Sequence, residues 1–393
     1  MSRRQDIAVV GAGMVGACAA YALACQGYRV GLIEAAAPPA DDWPADADYD
    51  LRVSAISPHS REMLTRLGIW DRLDPARVCA YEQMHIWHQH GSASVDFDAV
   101  ELARGDLGAI VENRLLQSAL HRACTRHPGI EWFMPDRIES LLENNSRGVV
   151  LRLVSGTLLE AGLLIAADGR GSPTREMAGL AARHGDYRQT AFVANVTTSL
   201  PHRNTAWQRF LATGPLAFLP LANGQSSIVW SCDDDFAAEL AAAGDDEFCA
   251  ALGQAFEYRL GEVTATGSRA AFRLGWHSCE HWIEQRVLLV GDAAHSVHPL
   301  AGQGVNLGFS DVDLLLRLAP GGGADISPRM LRRYERQRKS ETWLAGQSLG
   351  GLKWLYGLEQ KPITGLRDLG MKLVARTPWL KRELMRKAVQ NLS

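Results

Sequence analysis

The chain has 393 residues, of which 47% are hydrophobic and 22% charged, a balance that suits globular folding and excludes collagen-like, low-complexity and wholly disordered chains. Forty-one Lys plus Arg against 44 Asp plus Glu leave a net charge of −3, which removes nucleic acid as the default partner, and the length allows two to three domains or one large α/β unit. Seven cysteines, odd in number and without a C-x-x-C pair, argue against a disulfide framework or a zinc site and suit a reducing compartment.

Asp6 to Val10 is a short β-type run followed directly by Gly11-Ala-Gly13-Met14-Val15-Gly16. A helical stretch of about ten residues then ends near Gln26-Gly27, and Arg29 to Glu34 reads as a second strand. This is a βαβ unit with G-x-G-x-x-G at its first turn and an acid at the end of its second strand. The first glycine permits the tight turn, the second lets the backbone approach a pyrophosphate, and the third allows close helix–strand packing. The helix N-terminus offers free N–H groups to phosphates, and Glu34 can accept hydrogen bonds from a ribose. A dinucleotide is therefore expected, FAD and NAD remaining open, while the carboxylate would repel the 2′-phosphate of a resident NADP. Arg3-Arg4 ahead of the uncharged stretch Ile7 to Cys25 superficially resembles a signal peptide, but the glycines and Asp6 suit a strand, turn and helix instead. The body of the protein is expected to be soluble and cytoplasmic.

A Pro-rich loop, Ala37 to Pro44, precedes Arg52. Further along, Leu163 to Ala167 is an apolar run ended by Asp168-Gly169, with Ser172 and Arg175 at fixed offsets. Between about 185 and 285 lie four strand-like apolar patches: Ala191 to Val196, Trp207 to Leu211, Leu216 to Leu221 and Ser227 to Ser231. Arg286 to Val290 is a buried-type strand ended by Gly291-Asp292, then a Gly-rich loop through Gly302-Gln303-Gly304 and an amphipathic helix. An aspartate just past such a strand can bond ribityl hydroxyls, and the helix can aim N–H groups at an electron-rich ring. Ala319 to Ala324 is a local break before the C-terminal helices. From Gly350 to Ser393 there are nine basic and three acidic residues, a surplus of six. Leu366, Leu369, Leu373 and then Leu380, Leu384, Ala388 and Leu392 recur at helical spacing, predicting amphipathic helices interrupted near Pro378. Such a basic face can lie on anionic lipid, dock a partner or simply be solvated.

The three glycine motifs, in this order and spacing, resemble the FAD-dependent aromatic hydroxylases related to para-hydroxybenzoate hydroxylase. Leu51 to Ser57, Val111 to Leu116, Gly214 to Pro220 and His298 to Gly308 resemble, more narrowly, the hydroxylases of ubiquinone biosynthesis. Gly68 to Asp71, Met84 to His88, Trp207 to Phe210 and Leu380 to Glu383 are most similar to those acting on demethoxyubiquinol. The resemblance runs from about residue 5 to the C-terminus.

It implies an α/β fold: a Rossmann-like FAD-binding domain with an inserted β-sheet substrate domain and C-terminal helices. The FAD-binding segments would be 1–75, 111–184 and 286–348, the substrate lobe 76–110 and 185–285, and the basic helices 349–393. It implies that Gly11, Gly13, Met14, Val15, Gly16 and Glu34 hold the ADP half of resident FAD. Arg52, Asn113, Arg114, Asp168 and Asp292 would attend the pyrophosphate and ribityl chain, and Gly304, Val305 and Asn306 the isoalloxazine edge. The Asp168-Gly169 motif would also meet NAD(P)H, a transient co-substrate. Pro299 is the expected catalytic-loop residue, and Phe218, Pro220, Trp230 and His298 the candidates for touching substrate. The cofactor carries the hard chemistry, so no triad or metal cluster is expected.

The implied reaction is hydroxylation, with NAD(P)H and O₂, of a polyprenylated benzoquinol such as demethoxyubiquinol. Partners would be the membrane-embedded substrate, other ubiquinone-biosynthesis proteins, an anionic membrane surface at its inner face, and a second copy of the chain. The rivals are an earlier prenylphenol hydroxylated at another ring position, and a soluble aromatic acid, for which Arg209 beside the apolar patches offers a cation. An FAD-holding scaffold without turnover and a prenyl reductase complete the alternatives.

Overall fold

Residues Ile7 to Val10 are buried on both faces, the signature of a strand inside a parallel sheet. The computed structural model describes residues 2–37, 47–89, 94–296, 304–322, 325–357, 373–374 and 376–389. Its first sheet has β1 (Ser2–Val10) at the centre, parallel to β2 (Val30–Ile33) on one side and β11 (Leu158–Ala166) on the other. Outside these lie β8 (Ile130–Phe133) and β18 (Val287–Leu289), also parallel, with β17 (Ile283–Glu284) at the edge and the hairpin β9–β10 (Ile138–Asn145, Gly148–Leu153) joined to β11. β1 starts at Ser2, four residues before the expected run, because its polar half pairs with β11 and Arg3 and Gln5 bond Glu131.

The helix α1 (Met14–Cys25) follows the glycine turn as expected and is buried from Gly16 to Ala24. It packs between α3 (Asn113–Arg126) and α7 (Gly304–Leu318), which explains why it is apolar all round rather than amphipathic.

The second sheet is mixed, ordered β19-β16-β12-β15-β14-β13-β5-β6. Its members are β5 (Gln83–His88), β6 (Ser94–Asp98), β12 (Ala182–Thr198), β13 (Thr205–Leu211), β14 (Gly214–Pro220), β15 (Ser226–Asp233), β16 (Val263–Cys279) and β19 (His295–Ser296). One face is covered by α5 (Asp234–Ala242) and α6 (Asp245–Ala255): Phe192, Phe218, Ile228 and Trp230 pack there on Phe248, Leu252 and Phe256. The other face meets a small sheet of β3 (Val53–Ile56), β7 (Gly108–Glu112) and β4 (Val78–Tyr81), where Ala217, Leu219 and Leu221 join Ala55, Tyr81 and Ile110.

α8 (Pro328–Gly357) runs unbroken through residue 349, so the boundary expected there falls inside a helix. The last helix, α9 (Pro378–Val389), starts at its proline, where a missing N–H costs nothing. It buries Met385 in the cluster between the small sheet and the second sheet and pairs Lys381 with Glu101, whereas Leu384 of the expected apolar stripe is exposed. Leu366, Leu369 and Leu392 lie outside the described residues. Among the described residues no helix is long and apolar enough to cross a membrane.

Candidate functional site

Three strand ends of the first sheet, those of β1, β11 and β18, lie side by side and border a candidate cofactor cleft, the Gly11 turn against Ala167 and Asp168 and the Gly291 turn against Val15. At the first, Gly11 adopts φ +91°, and a Cβ on Gly16 would lie 1.9 Å from the Gly11 carbonyl oxygen, so the helix can approach the turn this closely only without a side chain. A Cβ on Gly13 would meet nothing within 4 Å, and no side chain caps α1, which leaves its first N–H groups open to a ligand. Glu34 stands at the end of β2, where its carboxylate accepts from the Ala12 N–H at 2.6 Å and the Ala36 N–H at 2.9 Å. It braces the glycine turn and retains further lone pairs for a ribose.

At the second strand end, Asp168 is committed to its own loop. Its carboxylate accepts from the Ser172 hydroxyl and from the Thr174 N–H at 3.1 Å, at the start of α4 (Pro173–Met177). Arg175, almost fully buried, donates to the carbonyls of Arg170 at 3.0 Å and Ala293 at 3.2 Å, tying this loop to the third strand end. There Asp292 projects into the open cleft, and its carboxylate has no hydrogen bond among the described residues. Crowding by protein raises its carboxyl above the usual range, while the positive groups of His295, Arg52 and Arg170 act against that rise. Arg52 is exposed, its backbone held by Asn113 N–H to Arg52 carbonyl at 2.9 Å.

Other expected cofactor contacts are used by the chain itself. The Asn113 side chain accepts from the Ser54 hydroxyl at 2.7 Å, and Arg114 donates to Glu112 at 3.1 Å and to the Asp48 carbonyl. Asn306, in the first turn of α7, accepts from Ser57 N–H at 3.0 Å and donates to the Ala55 carbonyl at 2.7 Å. These side chains fasten the walls of the cleft. Gly304 and Val305 open α7, and a Cβ on Gly304 would meet nothing within 4 Å. Sequence reasoning missed Glu112, which is buried and bonded to Arg77 at 2.6 Å and to Asp50 N–H at 2.7 Å, so that it pins the segment carrying Arg52.

The substrate candidates separate differently. Phe218 is 1% exposed and stacks on Phe256 at 3.9 Å; Trp230 is 2% exposed and meets Phe236 edge-on at 5.4 Å. Both lie on the helix-covered face, and Pro220 shares the strand parity of Phe218. Arg209 is likewise on the helix side, donating to Glu257 at 2.6 Å and to the Ala255 carbonyl at the end of α6. On the other face, which meets the small sheet, β5, β13, β14, residues 226–232 of β15 and residues 189–195 of β12 carry no Asp, Glu, Lys or Arg, and Asp233, the exposed last residue of β15, bounds this uncharged stretch. Pro299 and His298 lie outside the described residues.

The open α1 N-terminus, the exposed Arg52 and the unbonded Asp292 make a donor set suited to FAD: N–H groups and a cation for pyrophosphate, carboxylates for ribose and ribityl hydroxyls. Residues 4–347 match the family model described as FAD binding domain. The chain is 34% identical over 388 residues to 3-demethoxyubiquinol 3-hydroxylase of Escherichia coli (strain K12), covering 98% of each. It is 34% identical over 438 residues to the mitochondrial ubiquinone biosynthesis monooxygenase COQ6 of Xenopus tropicalis, covering 97% of this chain and 92% of that one. Ubiquinone hydroxylase UbiL of Rhodospirillum rubrum is 35% identical over 396 residues, covering 98% of this chain and 90% of that one. Among solved structures, p-nitrophenol 4-monooxygenase from Pseudomonas putida DLL-E4 shares the fold with a TM-score of 0.80 at 17% identity, covering 100% of this chain and 99% of that one.

Proposed function

Because the chain belongs to the FAD binding domain family, together with hydroxylases of ubiquinone biosynthesis, we propose that it hydroxylates the ring of a polyprenylated benzoquinol, demethoxyubiquinol first among them. It is an FAD-dependent monooxygenase. The chemistry supplied by bound FAD is acceptance of a hydride from NAD(P)H and activation of O₂, one oxygen atom going to the ring and the other to water. Gly11 to Gly16, the α1 N-terminus and Glu34 bind the adenosine diphosphate half, Arg52 neutralises pyrophosphate, and Asp292 accepts from ribityl hydroxyls. Segments 1–75, 111–184 and 286–348 serve this cofactor half, and 76–110 with 185–285 the substrate half, which orients the ring and excludes water.

The observation that carries the substrate class is the face of the second sheet opposite the helices, which is free of charge across β5, β13, β14 and residues 226–232 of β15. An aromatic acid would leave its carboxylate unpaired there, at a desolvation cost that a neutral quinol avoids. Arg209, the cation that would favour the acid, is spent on Glu257 and Ala255 on the far side of the sheet. Purified enzyme given NAD(P)H, O₂ and a short-chain demethoxyubiquinol should yield a product one oxygen atom heavier, detected by mass spectrometry. Turnover only of a prenylphenol moves the ring position, turnover only of an aromatic acid overturns the reading, and NAD(P)H oxidation unaffected by any substrate points to a scaffold.

A tail-bearing substrate places the enzyme at the inner face of the membrane, beside other proteins of the pathway. In support, α9 turns Trp379, Leu384, Arg382 and Arg386 to solvent beside exposed Val100. Aromatic and basic side chains on one exposed helix suit an anionic bilayer surface. Sedimentation with anionic vesicles at low salt, absent with zwitterionic ones, is the expected result, and no sedimentation with either refutes it.

A further inference from the structure

Buried charge is concentrated behind the Gly291–Ser296 turn. Asp311 on α7 is fully buried, as are Arg338 on α8 and His295 in β19 to within a few per cent. One Asp311 oxygen accepts from the Gly291 N–H at 2.8 Å and from His295 Nε2 at 2.8 Å. The other accepts from Arg338 Nε at 2.7 Å, and Arg338 also donates to the Leu307 carbonyl at 3.1 Å and to Glu341. Burial alone would raise the Asp311 carboxyl, but His295 and Arg338 outweigh it and hold the group below the usual range. Asp311 is thus a carboxylate, which makes His295 Nε2 the protonated nitrogen. The His295 ring is stacked on Trp282 at 4.8 Å.

An apolar pair of similar volume would serve the core at least as well, since a buried ion pair is commonly no more stabilising than its hydrophobic replacement. What an apolar pair could not supply is the acceptor for Gly291 and His295. Gly291 takes φ +57° with its N–H turned to Asp311, and this left-handed turn sends the next side chain, Asp292, into the cleft. His295 closes the same turn from its other end through its bond to Asp311. We infer that Asp311 is a positioning residue for the cofactor: backed by Arg338, it locks the Gly291–Ser296 turn from both ends and so aims Asp292 at the ribityl chain. The inference rests on the FAD reading for the identity of the ligand, but not on the identity of the ring substrate. It also gives α8, which carries Arg338, a direct hold on cofactor affinity.

The test is FAD titration of apoprotein, read by flavin fluorescence, with apoprotein melting measured separately. Wild-type protein that fails to bind FAD would overturn the cofactor reading, not this inference. The double variant Asp311→Leu/Arg338→Met removes the charges as a pair, so that neither is left buried alone. It should bind FAD about tenfold more weakly, the scale of one charge-assisted hydrogen bond, while its apoprotein melts within a few degrees of wild type. His295→Phe retains a ring over Trp282 but loses the Asp311 bond, and should weaken FAD about threefold or more. An FAD affinity within twofold of wild type in either folded variant would show the network to be core structure only. If the double variant fails to fold, His295→Phe alone decides between these outcomes.

Discussion

Replacing His277 by Phe should make the enzyme less sensitive to acid. His277 is 1% exposed, neither ring nitrogen has a hydrogen-bond partner among the described residues, and its ring lies 5.9 Å from that of His184. Burial, reinforced by the positive groups of Arg175, Arg170, His295 and His184, pushes its pKa down from 6.5 to about 4. The unfolded chain therefore takes up a proton near pH 6.5 that the folded chain refuses until about pH 4. Between those values the unfolded state binds more protons, so stability falls as pH falls, and the loss is complete below about pH 4. At 1.36 kcal/mol per pH unit the whole shift is worth about 3 kcal/mol, of which about 2 kcal/mol is lost between pH 7.5 and pH 5. Urea unfolding of wild type and His277→Phe at saturating FAD, at both pH values, isolates this group because other titrations are common to the two proteins. The stability difference should move by about 2 kcal/mol in favour of the variant on going to pH 5. A difference constant to within about 0.5 kcal/mol would mean that His277 finds a partner or solvent in solution.

Gly16→Ala would place a Cβ 1.9 Å from the Gly11 carbonyl oxygen, so the turn must open, and the variant should purify without bound flavin while wild type is yellow. A yellow Gly16→Ala protein would refute the close approach on which the cofactor assignment stands. Arg209→Met removes the bonds to Glu257 and Ala255 and should cost about 2 kcal/mol in urea unfolding, yet leave the KM for a neutral quinol within about twofold. A large rise in KM at unchanged stability would return Arg209 to the substrate site.

The glycine turn was legible because everything it needs is local: an apolar strand, three glycines at fixed spacing, and a helix that starts at once. Glu34 was likewise placed correctly at the end of β2, although its carboxylate braces Ala12 and Ala36 as well as facing the turn. Side-chain roles inside the cleft were less legible, because Asn113, Arg114, Asp168 and Asn306 have the polar chemistry of cofactor ligands and spend it on backbone and neighbours. The substrate face is hard to read for a different reason. β14 and β15 are buried on both sides, so alternation carries no polar label, and the large aromatic residues that look like pocket walls are what a helix-covered core also selects.

Asp311 and Arg338 stand 27 residues apart on different helices, and no spacing rule pairs them. A signal was nevertheless present: two aspartates, Asp311 and Asp313, interrupt the apolar run of α7 where solvent exposure is not available to both. A charge on the buried side of a helix requires a buried partner, and the partner must come from an element that packs on that side. α8 does so, and its Arg338 reaches past α7 toward the Gly291 turn. The same physics separates the two kinds of arginine in this chain. Arg175, Arg209 and Arg338 are buried with every contact internal, whereas Arg52 and Arg170 remain exposed where their charge acts on Asp292. Only the second kind is available to a phosphate, which is why exposure beside an unbonded carboxylate, rather than arginine itself, marks the cofactor cleft.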